Sequence, residues 1–249
     1  MDKLKDTIKK IQLPDPGLLE SAQAKLDDLT KPPGSLGKLE ELAKQMVGIT
    51  GNLDPVTDKK AVLVMAGDHG VVKEGVSAYP QEVTMQMVLN FLGGGAAINV
   101  LARHIGAEVQ VVDMGVAAEF ESNPKLLDKK VAAGTNSMTS GPAMDKGQAV
   151  RSLEAGIEAA ELMIENNYNI IATGDMGIGN TTASSAIVSV ICKIDAEEVT
   201  GLGTGIDREG LNKKIKAIKT AIEVNNPNPH DGIDVLAKVG GFEIGGIAG

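Results

Sequence analysis

The chain of 249 residues has no tryptophan, two tyrosines, three phenylalanines and one cysteine. With so few aromatics, stacking platforms for single-stranded nucleic acid are excluded, and the core has to be built from Ala, Val, Ile, Leu and Met. The lone Cys192 can form no internal disulfide, which points to a reducing cytoplasm. Its place in the apolar run 186–194 predicts a core residue and not a nucleophile. The three histidines, at positions 69, 104 and 230, share no paired spacing, which argues against a metal site. Basic residues are outnumbered, 24 Lys plus Arg against 33 Asp plus Glu, and form no tract, so a nucleic-acid partner is not expected. Behind the charged start Met-Asp-Lys-Leu-Lys-Asp lies no apolar signal core. No apolar stretch reads as long enough to span a membrane, so no membrane partner is expected either.

What is abundant is aliphatic residue and glycine: 43% of residues are hydrophobic, enough to bury a core in one large domain or two small ones. The thirty glycines cluster at the ends of apolar runs. Residues 1–58 read as a helical N-terminal element, interrupted at Pro14, Pro16 and the turn Lys31-Pro32-Pro33-Gly34-Ser35. From residue 59 the pattern changes. Residues 61–66 form an unbroken β-rich apolar run, the mark of a strand buried on both faces and hence parallel. Strands at 61–66, 108–113 and 169–173 alternate with helices at 83–92, 96–105, 145–166, 181–192, 207–224 and 231–239. Such alternation predicts right-handed crossovers and a three-layer α/β/α parallel sheet over residues 59–249. Within 126–144 the pattern is weakest, and residues 130–132 suggest a short edge strand. The last ten residues, Gly240 to Gly249, are apolar and glycine-rich where termini are usually polar. They read as a buried element cut short, leaving an exposed patch.

Among the glycine clusters the strongest is Gly174-Asp175-Met176-Gly177-Ile178-Gly179-Asn180-Thr181-Thr182, between a strand and a helix start. Glycines let N–H groups converge, the helix start adds unsatisfied donors and the positive dipole end, and Thr hydroxyls add more, so a phosphate fits. The Gly-Lys-Ser/Thr ending of a Walker loop is missing, and Thr182 stands where the dinucleotide fingerprint needs its third glycine. Asp175 lies at the C-terminal end of a strand, where parallel sheets place reactive groups. A second glycine loop, 201–205, precedes a helix carrying Lys213 and Lys214, either of which could reach a phosphate. Gly67-Asp68-His69-Gly70 ends the first buried strand, and His69 reads as a hydrogen-bonded structural residue. Met85 and Met87, at a helix start, read by composition as core.

Taken together, several strings resemble one enzyme family. They are Lys31-Pro32-Pro33-Gly34-Ser35-Leu36-Gly37, Gly67-Asp68-His69-Gly70-Val71, Phe91-Leu92-Gly93-Gly94-Gly95-Ala96-Ala97-Ile98-Asn99, the Gly174–Thr182 loop, Gly203-Thr204-Gly205 and Val239-Gly240-Gly241-Phe242-Glu243-Ile244. The family is the nicotinate-nucleotide:5,6-dimethylbenzimidazole phosphoribosyltransferases, which make the lower-ligand nucleotide of cobalamin. The resemblance implies a Rossmann-like sheet with a small helical domain, a homodimer, and no cofactor. It also implies nicotinate mononucleotide and a benzimidazole-type base as substrates. Carried over by motif, Asp175 takes an acidic position beside the base. Tyr79, Met87 and Met176 line the base pocket; Gly177, Gly179, Asn180, Thr181 and Gly203 form the phosphoribosyl cradle; Lys214 takes the phosphate. Family members continue past the stretch matching Gly240–Gly249 to a segment whose glutamate is taken as the base, and this sequence has no such segment. Low activity is therefore expected of the 249-residue chain. The alternatives are a dinucleotide-binding oxidoreductase using the Gly177–Thr182 loop and a catalytically inactive binding subunit.

Overall fold

In the computed structural model, which describes residues 2–249, the chain divides into two compact units, Lys5–Asp58 and one that includes Lys59–Gly249. The helices of the first stretch are α1 (Asp2–Lys10), α2 (Pro16–Asp27) and α3 (Lys38–Thr50). Proline decides the break between the first two. Pro16 occupies the start of α2, where no N–H is needed, and the Asp15 carboxylate accepts from Gly17 N–H as the cap. Gly51, in the left-handed region at φ 68°, ends α3.

In the larger unit the order is β1 (Lys60–Gly67), a 3₁₀ turn (Gly70–Glu74), α4 (Glu82–Leu92), α5 (Ala97–His104), β2 (Ala107–Gly115), β3 (Leu126–Asp128), α6 (Lys146–Glu165) and β4 (Ile170–Met176). Then come α7 (Asn180–Cys192), α8 (Ala196–Val199), α9 (Arg208–Asn225), α10 (Gly232–Val239) and α11 (Phe242–Ala248). All strand pairs are parallel, in the order β3-β2-β1-β4. Central β1 is apolar on both sides because both are covered, and its residues divide by parity. Ala61, Leu63 and Met65 pack with Ala155 and Met163 of α6, Leu236 of α10 and Phe242 of α11, whereas Val62, Val64 and Ala66 pack with Val88 and Phe91 of α4 and Ala102 of α5. This is the three-layer α/β/α arrangement. A further apolar cluster joins α7, α9 and α10 through Ala186, Ile218, Val235 and Val239.

Five expectations need correction. The edge strand lies at Leu126–Asp128, paired with Val111–Asp113, and not at 130–132. There the Asp128 carboxylate accepts from Lys130 N–H and turns the chain, and the Lys130 ammonium is drawn to Asp113 and the carbonyls of Val116 and Ala118. Next, β4 runs on through Gly174, Asp175 and Met176, which pair with Val64, Met65 and Ala66, so the glycine loop proper starts at Gly177. Cys192 is exposed, because it falls in the last turn of α7 just before the left-handed Lys193. The stretch Glu82–His104 is, by length and composition, apolar enough to cross a membrane. In the fold it is divided between α4 and α5, which cover one face of the sheet. Finally, most of the glycine-rich end is packed, and only Ile247, Ala248 and Gly249 are exposed: Phe242 and Glu243 are buried, and Gly245 and Gly246 touch α6 so closely that a Cβ at Gly245 would meet Ser152 Oγ at 1.9 Å.

Candidate active site

The C-terminal ends of β1 and β4, side by side in the sheet, start the site. Beyond Met176 the chain passes through Gly177, Ile178 and Gly179, all buried, and enters α7 at Asn180. Gly177 is required by proximity: a Cβ there would lie 2.2 Å from the carbonyl oxygen of Gly67. At Gly179 the reason is the backbone, at φ 96°. Thr84, fully buried in α4, accepts from Ile178 N–H through Oγ1 at 3.0 Å and holds the loop from the other side. Sequence reading missed Thr84, whose partner is 94 residues away.

Asp175 is exposed at the end of β4, and its Oδ2 accepts from Asn180 Nδ2 at 2.5 Å, tying the acid to the first turn of α7. One residue on, Thr181 Oγ1 accepts from the Lys214 ammonium at 2.8 Å, and the same ammonium donates to the carbonyl of Gly201 at 3.3 Å. Gly203, at φ 55°, leaves room beside both: a Cβ would stand 3.0 Å from Lys214 Nζ and 3.0 Å from Thr181 Oγ1. The two glycine loops of the sequence therefore converge on one lysine. Lys214 is only 1% exposed and has no carboxylate partner among the described residues, and burial lowers its pKa. Lys213, one residue earlier, is exposed and paired with Glu209 at 2.8 Å. The two lysines thus occupy different faces of α9, one buried beside the glycine loops and one exposed.

The turn before α4 is joined to the second loop. Ala78 N–H donates to Thr204 Oγ1 at 3.2 Å, and Ser77 Oγ lies 3.2 Å from the same oxygen. Tyr79 follows, exposed, its N–H bonded to Ser77 Oγ. Met87 and Met176 both pack, half-buried, against the cluster that contains Val64, Ala66 and Val88. Beneath the loop, His69 and Glu243 form a buried pair, Nε2 to Oε1 at 2.6 Å. The motif Gly-Gly-Phe-Glu-Ile contained Glu243, but nothing in its spacing indicated a partner at position 69. Among the described residues no group of three or more His, Cys, Asp or Glu side chains is arranged to hold a metal ion.

Residues 11–249 match a family model described as phosphoribosyltransferase. A nicotinate-nucleotide–dimethylbenzimidazole phosphoribosyltransferase of Roseiflexus sp. (strain RS-1) is 56% identical over all 249 residues, which span 70% of that protein. One of Geobacter metallireducens is 55% identical over the same share. The crystal structure of CobT from Thermus thermophilus superposes with a TM-score of 0.88 at 47% identity, covering 93% of this chain and 69% of that one.

Proposed function

The chain belongs to the nicotinate-nucleotide–dimethylbenzimidazole phosphoribosyltransferase family, and from that premise we propose how its residues move the phosphoribosyl group of nicotinate mononucleotide to 5,6-dimethylbenzimidazole or a related base. The product is the α-ribazole phosphate of the cobalamin lower ligand. The observation that carries the assignment is Lys214, a buried ammonium with a hydroxyl and a carbonyl for company and no counter-charge among the described residues. A buried cation without an anion is costly, and a phosphate monoester supplies the missing charge. The N–H groups of Gly177 and Gly179, with Asn180, the Thr181 hydroxyl and the open space at Gly203, complete the cradle at the start of α7.

Nicotinate mononucleotide carries a cationic pyridinium, so the ring departs without protonation while the ribose becomes oxocarbenium-like. A carboxylate facing that cation lowers the barrier, and Asp175 has that role. The attacking benzimidazole nitrogen becomes positive unless the ring's other N–H is removed; Asp175 is the acid beside it, and Tyr79, Met87 and Met176 form the walls that hold the ring. Displacement at C1 inverts the β-nucleotide to an α-nucleotide, with a phosphate held by N–H groups and one lysine and no metal required. The enzyme is also proposed to be a cytoplasmic homodimer, consistent with its single exposed cysteine and with the outer faces of α4 and α5, where Leu89, Val100 and Leu101 are exposed.

Incubating the protein with nicotinate mononucleotide and 5,6-dimethylbenzimidazole tests the reading. Formation of α-ribazole phosphate, sensitive to Lys214→Ala, is expected; binding of NAD in place of the mononucleotide would overturn it.

A further inference from the structure

The His69–Glu243 pair has no place in the chemistry above, yet the site is built on it. The two side chains are 1% and 0% exposed and come from the end of β1 and the first turn of α11, 174 positions apart. Four glycines close around them. A Cβ at Gly67 would lie 2.8 Å from Glu243 Oε2, and one at Gly241 would lie 2.4 Å from His69 Cε1 and 2.6 Å from Glu243 Oε1. At Gly179 it would be 3.2 Å from His69 Cβ, and at Gly177 3.3 Å from His69 Cδ2. The last two are loop residues assigned to the phosphate cradle, so the backbone that is to hold the nucleotide rests directly on the imidazole. Glu243 Oε2 has no hydrogen-bond partner among the described residues. The carboxylate is therefore matched by the ring alone, which fixes the ring's orientation.

We propose, resting on the functional reading above, that His69 and Glu243 are a positioning pair, which sets the backbone of residues 177–180 from beneath and so aligns the cradle and Asp175 without touching substrate. The ring acts as a cation in this role. Burial opposes its charge, but Glu243 on α11, Asp68 at the end of β1 and Asp175 on β4 face it and hold its pKa above the usual imidazole value.

The test is KM for nicotinate mononucleotide from about pH 6 to about pH 9, with a melting curve at each pH, in the wild type, Glu243→Gln and the double variant His69→Gln/Glu243→Gln. In the wild type KM is expected to rise on the alkaline side as the ring loses its proton. Glu243→Gln keeps a hydrogen-bonding group of the same shape, so it is expected to fold, to raise KM about tenfold at neutral pH, and to move the alkaline rise to lower pH. A rise set by Lys214 alone would not move. The double variant, with both charges gone, is expected to lose that part of the pH dependence, and it carries the comparison should Glu243→Gln fail to fold. Wild-type KM and an unmoved midpoint in a variant that only melts earlier would overturn the proposal. If the wild type turned over no nucleotide, the functional reading would fail first. Binding of inorganic phosphate would then replace KM, with the same shift expected or refuted.

Discussion

Lys213 and Lys214 look equivalent in the sequence and differ completely in surroundings, and that difference is measurable. Removing the Lys214 ammonium deletes a charge-assisted contact of roughly 1.5–3 kcal/mol, so Lys214→Ala is expected to raise KM for nicotinate mononucleotide about 10- to 100-fold. Lys213→Ala, losing an exposed pair with Glu209, should change it less than about twofold. Steady-state kinetics on the two variants decides, and equal effects would contradict the site. For His69 the consequence is one of stability. A folded pKa raised above the unfolded value of about 6.5 gives a contribution fully present below that pH and lost as pH rises through the folded pKa. Urea midpoints should therefore fall between neutral and alkaline pH, and the fall should be shallower in Glu243→Gln. Asp175, Thr181 and Lys214 could be proposed from the sequence because their signals are local: a strand end, a helix start, and, for the lysine, a family string. It was silent on Glu243 and Thr84, whose roles rest on partners 174 and 94 positions away.

Among the elements, β4 and the loop that follows it each offer a glycine, and the two separate space from chemistry. Gly174 has no heavy atom within 4 Å of a built Cβ, whereas Gly177 would drive one into the carbonyl of Gly67 at 2.2 Å. Gly174→Ala should thus leave melting temperature and KM nearly unchanged. Gly177→Ala should cost about 1–3 kcal/mol of stability by overpacking and disturb the cradle, so its kinetics have to be read beside its melting curve. The first turn of α10 carries a second pH effect. The Asp234 carboxyl is held down to about 2, first by the N–H of Asn228 and then by Lys238 and Lys146. Its contribution is present above the unfolded value of about 3.9 and is lost as pH falls toward about 2. Asp234→Asn should lower the melting temperature at neutral pH and converge with the wild type in strong acid. Elements with a clear period or cap were readable in advance: β1, α6 with its Asp145–Gln148 capping box, and α9 behind Asp207. Where pairing with a distant strand decides, as at β3 and the last three residues of β4, the local pattern had nothing to report.

Across the whole molecule, the sheet is unevenly protected. On one side of β1 stands β2, with β3 beyond it; on the other stands β4 alone, most of it exposed or half-buried, and no strand pairs with its far side among the described residues. Every second backbone amide of β4 points away from β1. Deuterium uptake should follow an alternating pattern along Ile170–Met176, fast and slow by turns, while β1 exchanges only with global unfolding. The glycine loop proposed to hold the nucleotide follows the end of this strand, so it is expected to open before the core does. Nicotinate mononucleotide, by occupying the closed form, is expected to slow exchange in β4 and at the start of α7 as its concentration rises, leaving β2 unaffected. The strand that carries Asp175 would then also report, amide by amide, how often the empty site comes apart.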